Sequence, residues 1–230
     1  MPKPEPPEPG AAAALVPTMI TAIVDYGSGN LRSVAKAFEY VLRAAGRDAE
    51  VTVTGEPAVV RKADRVVLPG VGAFADCMRG LRQIPGMTEA LQRRVIDDGI
   101  PFLGICVGMQ MMGRESEEHG RHPGLGWIPA RVARMTPAPG FRIPHMGWNE
   151  LLDVTPHPVF ADLEPHAHAY FVHSYAVHAD QPEHVAARTC HGGPVVAALA
   201  RDNLIGTQFH PEKSQATGLR MLANFVRWAP

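Results

Sequence analysis

The chain has 230 residues, 46% of them hydrophobic, with 22 basic against 23 acidic side chains and a net charge of -1. That length and apolar content suit one sizeable α/β domain or two small ones. The balanced charge gives no argument for nucleic acid or an anionic membrane, and no apolar run approaches the roughly 20 residues needed to span a bilayer.

Residues 1–18 are rich in Pro, Glu and Ala and lack the basic head and long apolar core of a signal peptide. They are expected to form a disordered extension, with the fold running over 19–230. Met19–Val24 has the pattern of a buried strand, followed by the glycine-punctuated loop DYGSGN. Asn30 is the expected N-cap of a helix with Val34, Phe38, Val41 and Leu42 at helical spacing, ended by Gly46. A strand at Ala49–Val53, a short helix at Pro57–Ala63 and a strand at Arg65–Leu68 come next. The loop PGVGAF leads into a helix with Met78 and Leu81 on one side; Thr88–Asp98 is another helix, and Ile100–Ile105 a strand. This alternation predicts βαβ units and a largely parallel sheet.

From Trp127 the texture changes to short strands and Pro/Gly turns: WIPARVARM, HMGWNEL, HAYFVHSYAV, HVAART, VVAALA and LIGTQF. These predict added antiparallel strands within the same domain. A final helix, Gln215–Trp228, carries Leu219, Leu222, Phe225 and Val226 on one stripe. No internal repeat is present. The expected fold class is α/β, one domain, with a mostly parallel mixed sheet and helices on both faces.

Three segments at the carboxyl ends of predicted strands carry candidate chemistry. In GICVGMQ, Cys106 sits between Gly104 and Gly108 at a strand-to-helix turn, where a turn exposes the sulfur and a helix start favours the thiolate. The G-x-C-x-G pattern is short, and a buried core cysteine stays open beside a nucleophile. In QFHPEKS, Pro211 separates His210 from Glu212, the base-plus-orienter pairing of a catalytic triad; a surface turn with a salt-bridged Glu is the other reading. PGVGAF has the glycines that let a backbone present amides to an oxyanion, and it fits an ordinary βα turn as well. In an open α/β sheet, strand carboxyl ends form the binding crevice, so the joint occurrence of all three favours chemistry.

Together with DYGSGNLRSV, HMGWN (145–149) and YFVHSY (170–175), these blocks resemble class I (triad) glutamine amidotransferases, and among them the glutaminase subunits of imidazole glycerol phosphate synthase. The resemblance spans residues 19–228 and implies the flavodoxin-like amidotransferase fold, a cytoplasmic enzyme and no cofactor or metal. It implies Cys106 as nucleophile, His210 as base, Glu212 as its orienter, and the amides of Gly72 and Val107 as oxyanion hole. Gly70, Gln110, His173, Ser174 and Tyr175 match glutamine-binding positions. Asn30, Trp148, Tyr170 and Lys213 match positions facing the partner, a (β/α)8-barrel cyclase subunit (HisF) that receives ammonia. Val107 stands where a leucine is common in such elbows. A glutaminase serving another class I amidotransferase, for anthranilate or pyridoxal phosphate synthesis, and a catalytically silent scaffold remain alternatives.

Other signals are weaker. Gly27-x-Gly29 has Arg32 where a dinucleotide fingerprint needs a third glycine. His166 and His168 share an alternation with Asp162 and Glu164, but Pro165 interrupts it, and the stretch fits a polar surface turn better than a zinc site. The three cysteines, Cys77, Cys106 and Cys190, are far apart and odd in number, which fits neither a disulfide framework nor a CxxC site and points to a reducing cytosol. Cys77 and Cys190 are expected to be buried small hydrophobes, and Glu117-Glu118 a solvated loop.

Overall fold

A computed structural model describes residues 19–47 and 49–230; the expectation for residues 1–18 lies outside them. In chain order the elements are β1 (Met19–Val24), α1 (Leu31–Ala44), β2 (Ala49–Thr54), α2 (Pro57–Val60), β3 (Arg65–Gly70), α3 (Phe74–Gln83), α4 (Met87–Leu91), β4 (Phe102–Cys106) and α5 (Val107–Met111). Then come β5 (Glu115–Ser116), β6 (His122–Pro123), β7 (Ala130–Arg134), β8 (His145–Glu150), β9 (His168–His173), β10 (Tyr175–Ala179), β11 (Val185–Cys190), β12 (Pro194–Arg201), β13 (Leu204–Thr207) and α6 (Gln215–Phe225).

The central seven-stranded sheet has the order β11-β12-β13-β4-β3-β1-β2. Strands β2, β1, β3, β4 and β13 run parallel, while β12 is antiparallel to β13 and to β11. The near-continuous apolar runs of β3 and β4 are what strands covered on both faces require, and both are buried throughout. The chain steps outward from β1 to β2, then crosses back to β3 on the other side of β1. Right-handed crossovers therefore put α1 on one face and α2 on the other, where it packs on α4; α6 packs on α1. One apolar cluster joins both faces through residues such as Phe38, Phe74, Phe102, Phe209 and Phe225.

Several elements differ from the sequence-based expectation. The helix expected over Thr88–Asp98 is α4 followed by a wide π turn, Gln92–Asp97, in which the Asp98 amide reaches Arg93 five residues back and Val95 stays buried. The final helix stops at Phe225, and the turn after it tightens, with the Arg227 and Trp228 amides both donating to the Asn224 carbonyl while the Arg65 guanidinium donates to the carbonyls of Phe225 and Trp228. HAYFVHSYAV splits at Ser174 into β9, paired with β8, and β10, paired with β7 in a separate four-stranded sheet. LIGTQF contributes β13, parallel to β4 rather than only antiparallel to a neighbour. Cys77 is buried, but Cys190 is exposed, because it ends the edge strand β11.

Candidate active site

Strands β3, β4 and β13 end side by side. Their register sets Gly70 beside Cys106 on one flank of β4 and Thr207 beside Ile105 on the other. The three segments singled out in the sequence are thus neighbours at one end of the sheet, next to the point where the chain reverses direction between β1 and β3.

Cys106 closes β4 and starts α5 with φ 55° and ψ −109°. A residue carrying a β-carbon held there costs on the order of 1–3 kcal/mol and persists only where its surroundings enforce it. The enforcement is close packing of α5 on β3. A β-carbon on Gly108 would stand 1.8 Å from the Leu68 carbonyl oxygen, so only glycine lets the chain pass. The helix that follows has five residues, too short for a large dipole, and thiolate stabilisation has to come mainly from side chains.

The imidazole of His210 lies just past β13. Its Nδ1 is 2.9 Å from Glu212 Oε1, and both side chains are almost wholly buried, at 2% and 1% exposure. A carboxylate accepts, so Nδ1 keeps its proton in both charge states and Nε2 is the nitrogen that takes and returns the proton shared with the sulfur. Burial disfavours the charged ring, but interaction with Cys106 and Glu212 outweighs it and raises His210 to about 9. The second carboxylate oxygen, Glu212 Oε2, has no hydrogen-bond partner among the described residues. The turn is clamped from β9: the His210 amide donates to the Tyr170 carbonyl, the Ser214 hydroxyl donates to the His210 carbonyl at 2.7 Å, and the Tyr170 amide donates to that hydroxyl at 2.9 Å.

A cleft of about 280 Å³ opens over the sulfur, walled by Gly72, Cys106, Val107, Gln110, His173, Ser174, Tyr175, His210 and Lys213 among others. Those sequence-predicted residues therefore converge. Gly70 does not line the cleft; it is buried where β3 meets Tyr26, Val107 and Gly108. Gly72 adopts φ 107°, and the preceding Val71 is pinned by Ser28, whose hydroxyl donates to the Val71 carbonyl and accepts from the Val71 amide. Trp148 and Tyr170 face each other across β8 and β9 with ring centroids 6.1 Å apart, and Lys213 Nζ lies 5.9 Å from the Tyr170 ring centre. Asn30 starts α1 through its backbone carbonyl; its side chain makes no cap hydrogen bond.

Four further residues stand at the site without having been singled out in the sequence. Gln208, fully buried, places Nε2 3.7 Å from Cys106 Sγ. It lies two residues before His210, but the chain bends at Gln208 and Phe209, so no strand alternation marks it. Ser214 is the clamp just described. Glu118 is no solvated loop residue: it borders the cleft and its Oε2 accepts the Phe74 amide at the start of α3. His145 hydrogen-bonds His173 through Nδ1 and Nε2 at 3.0 Å. Burial and neighbouring imidazoles hold His145 down at about 3, and burial holds His173 down at about 4, so both rings are neutral near pH 7. His166 bonds Glu150 through Nδ1, and His168 Nδ1 bonds the His166 carbonyl.

A buried thiol at a strained turn beside a carboxylate-held imidazole can form a thiolate and protonate a leaving group, the working parts of a cysteine-dependent acyl-transfer enzyme. The family description "Glutamine amidotransferase class-I" matches residues 22–228. Among curated relatives, "Imidazole glycerol phosphate synthase subunit HisH" of Rhodospirillum rubrum is 56% identical over 214 residues, covering 92% of this chain and 100% of its own. The protein of the same name from Rhizobium meliloti is 54% identical over 216 residues, with the same coverage. Among solved structures, a glutamine amidotransferase superposes with a TM-score of 0.66 at 19% identity, covering 90% of this chain and 97% of that one. A glutamine amidotransferase from Thermotoga maritima gives 0.61 at 16% identity, covering 88% and 80%. The chain belongs to the class-I glutamine amidotransferases and, within them, to the family of HisH subunits.

Proposed function

We propose that this chain is the glutaminase subunit of an imidazole glycerol phosphate synthase, releasing ammonia from glutamine for use by a partner subunit. The observation that carries the reading is the buried His210–Glu212 pair opening onto the same cleft as Cys106. Cys106 sulfur attacks the glutamine side-chain carbon, giving up its proton to His210. The tetrahedral oxyanion takes the amides of Gly72 and Val107. The C–N bond then breaks, His210 protonates the leaving ammonia, and a γ-glutamyl thioester remains. Water adds with its proton passing to His210, the C–S bond breaks, and glutamate leaves with the thiol restored. The balance is glutamine plus water to glutamate plus ammonia.

Gln110 and the His173–Tyr175 segment hold the substrate, while Gly70 shapes the sulfur's surroundings. Asn30, Trp148, Tyr170 and Lys213 face the partner, a (β/α)8-barrel cyclase (HisF) bound as a heterodimer. That subunit uses the ammonia to turn PRFAR into imidazole glycerol phosphate and AICAR. Residues 19–230 act as one amidotransferase domain in the cytoplasm; no helix among the described residues is long and apolar enough to cross a membrane. The test is Cys106→Ser assayed with the cyclase: glutamine-dependent synthesis is lost and synthesis from ammonium salts persists. Undiminished glutamine-dependent turnover would remove Cys106 from the mechanism.

A further inference from the structure

We propose that Gln208 is a further catalytic residue, whose side-chain amide hydrogen-bonds the Cys106 sulfur and favours its thiolate; this rests on Cys106 being the nucleophile. The amide's orientation is fixed by a circuit that begins at a group able only to accept. The Tyr175 backbone carbonyl takes one hydrogen bond from His173 Nδ1 at 2.9 Å and one from Gln110 Nε2 at 3.2 Å. The other hydrogen of Gln110 Nε2 goes to Gln208 Oε1 at 3.0 Å. With its oxygen committed to Gln110, Gln208 must turn its NH2 toward Cys106 Sγ, 3.7 Å away. The reverse orientation opposes two NH2 groups and aims a carbonyl dipole at the sulfur.

A neutral thiol accepts weakly, whereas a thiolate accepts a charge-assisted bond, so the contact stabilises the ionised form more. In a site this buried a neutral donor avoids the desolvation cost of a second cation. Gln208 also stays out of the proton transfers, leaving His210 free to be both base and acid. The backbone of Gln208 is held separately, its amide donating to the Ala197 carbonyl, so the side chain can change without unpinning the strand end.

The other titratable groups near the sulfur are His210 with Glu212, Tyr26 and Cys77 beneath the loop after β3, and His173, Glu118 and Lys213 around the cleft. Each is unchanged in Gln208→Met, which keeps side-chain length and removes the donor. The experiment follows alkylation of Cys106 in the full-length chain by iodoacetamide across pH, read by peptide mass spectrometry. The expected result is a midpoint about one pH unit higher in Gln208→Met, a tenfold lower thiolate fraction on the alkaline limb's foot. Glutamine kcat falls about tenfold while KM changes less than about twofold. An unchanged midpoint in folded Gln208→Met overturns the proposal.

Should the variant fail to fold, side-chain amide resonances of 15N-glutamine-labelled wild type decide. The Gln208 NH2 signal is expected to move with the Cys106 alkylation midpoint, and a signal that ignores that titration overturns the proposal. Loss of activity in Cys106→Ser alongside an unchanged Gln208→Met midpoint sinks the Gln208 role alone. Full glutamine turnover in Cys106→Ser sinks the nucleophile assignment itself.

Discussion

At the scale of single residues, the site depends on proton positions that burial enforces. His210 is raised to about 9 while His145 and His173 are lowered to about 3 and about 4, within one connected set of side chains. A raised imidazole contributes stability that is complete below pH 6.5 and is lost as pH climbs through about 9. The lowered pair acts in the opposite sense. As pH falls below 6.5 the unfolded chain takes up protons that the native rings refuse, so stability declines down to about pH 4 through His173 and about pH 3 through His145. Each such ring contributes a slope of up to about 1.4 kcal/mol per pH unit. Urea unfolding between pH 6.5 and 5 therefore becomes less steeply pH-dependent in His145→Leu than in the wild type, by about one proton's worth; identical slopes contradict the neutral pair. Glu212→Gln exchanges the acceptor of the Nδ1 proton for an amide and favours the wrong tautomer. Its kcat for glutamine is expected to fall about 10²–10⁴-fold with the fold intact, a result that steady-state assays and a melting curve check together.

At the scale of elements, β3, β4 and β13 make the site by ending together. Gly108→Ala drives a β-carbon into backbone atoms of β3, which have no rotamer by which to yield. Overpacking of this kind costs about 3 kcal/mol or more, so Tm is expected to drop by about 6–12 °C; differential scanning calorimetry measures it. The strands that end together were legible because each is a short apolar run closed by glycine or by His-Pro-Glu, and parallel packing demands such runs. Cys106, His210 and Glu212 were legible as candidates for the same reason: the chemistry proposed for them is compressed into short motifs. Gln208, Ser214 and Glu118 were not, because each acts through a partner 44 to 102 residues away, and no local pattern encodes such pairings. The split at Ser174 was hidden likewise. Both strands alternate well, and only the partners of β9 and β10 show that they join different sheets.

At the scale of the molecule, the cleft and an aromatic face adjoin. Lys213 belongs to both, lining the cleft and approaching the Tyr170 ring, and Tyr170 is tied through Ser214 to the backbone of His210. Met146 and Trp148 stand on the same side of β8, 60% and 47% exposed, an apolar pair that a partner subunit would cover. Met146→Asp is expected to weaken cyclase binding by at least about tenfold without lowering Tm; titration calorimetry that finds unchanged affinity places the partner elsewhere. Because the His210 turn is clamped to that face, the proposed docking there has a short mechanical route to the His210 imidazole. Central to the proposed chemistry is a covalent γ-glutamyl bond at Cys106. Rapid acid quench of the chain with its cyclase, nucleotide and glutamine, followed by peptide mass spectrometry, tests it most directly. A γ-glutamyl adduct confined to the Cys106 peptide, absent in Cys106→Ser, is the predicted result; steady glutamine turnover with that peptide unmodified at every time point would contradict it.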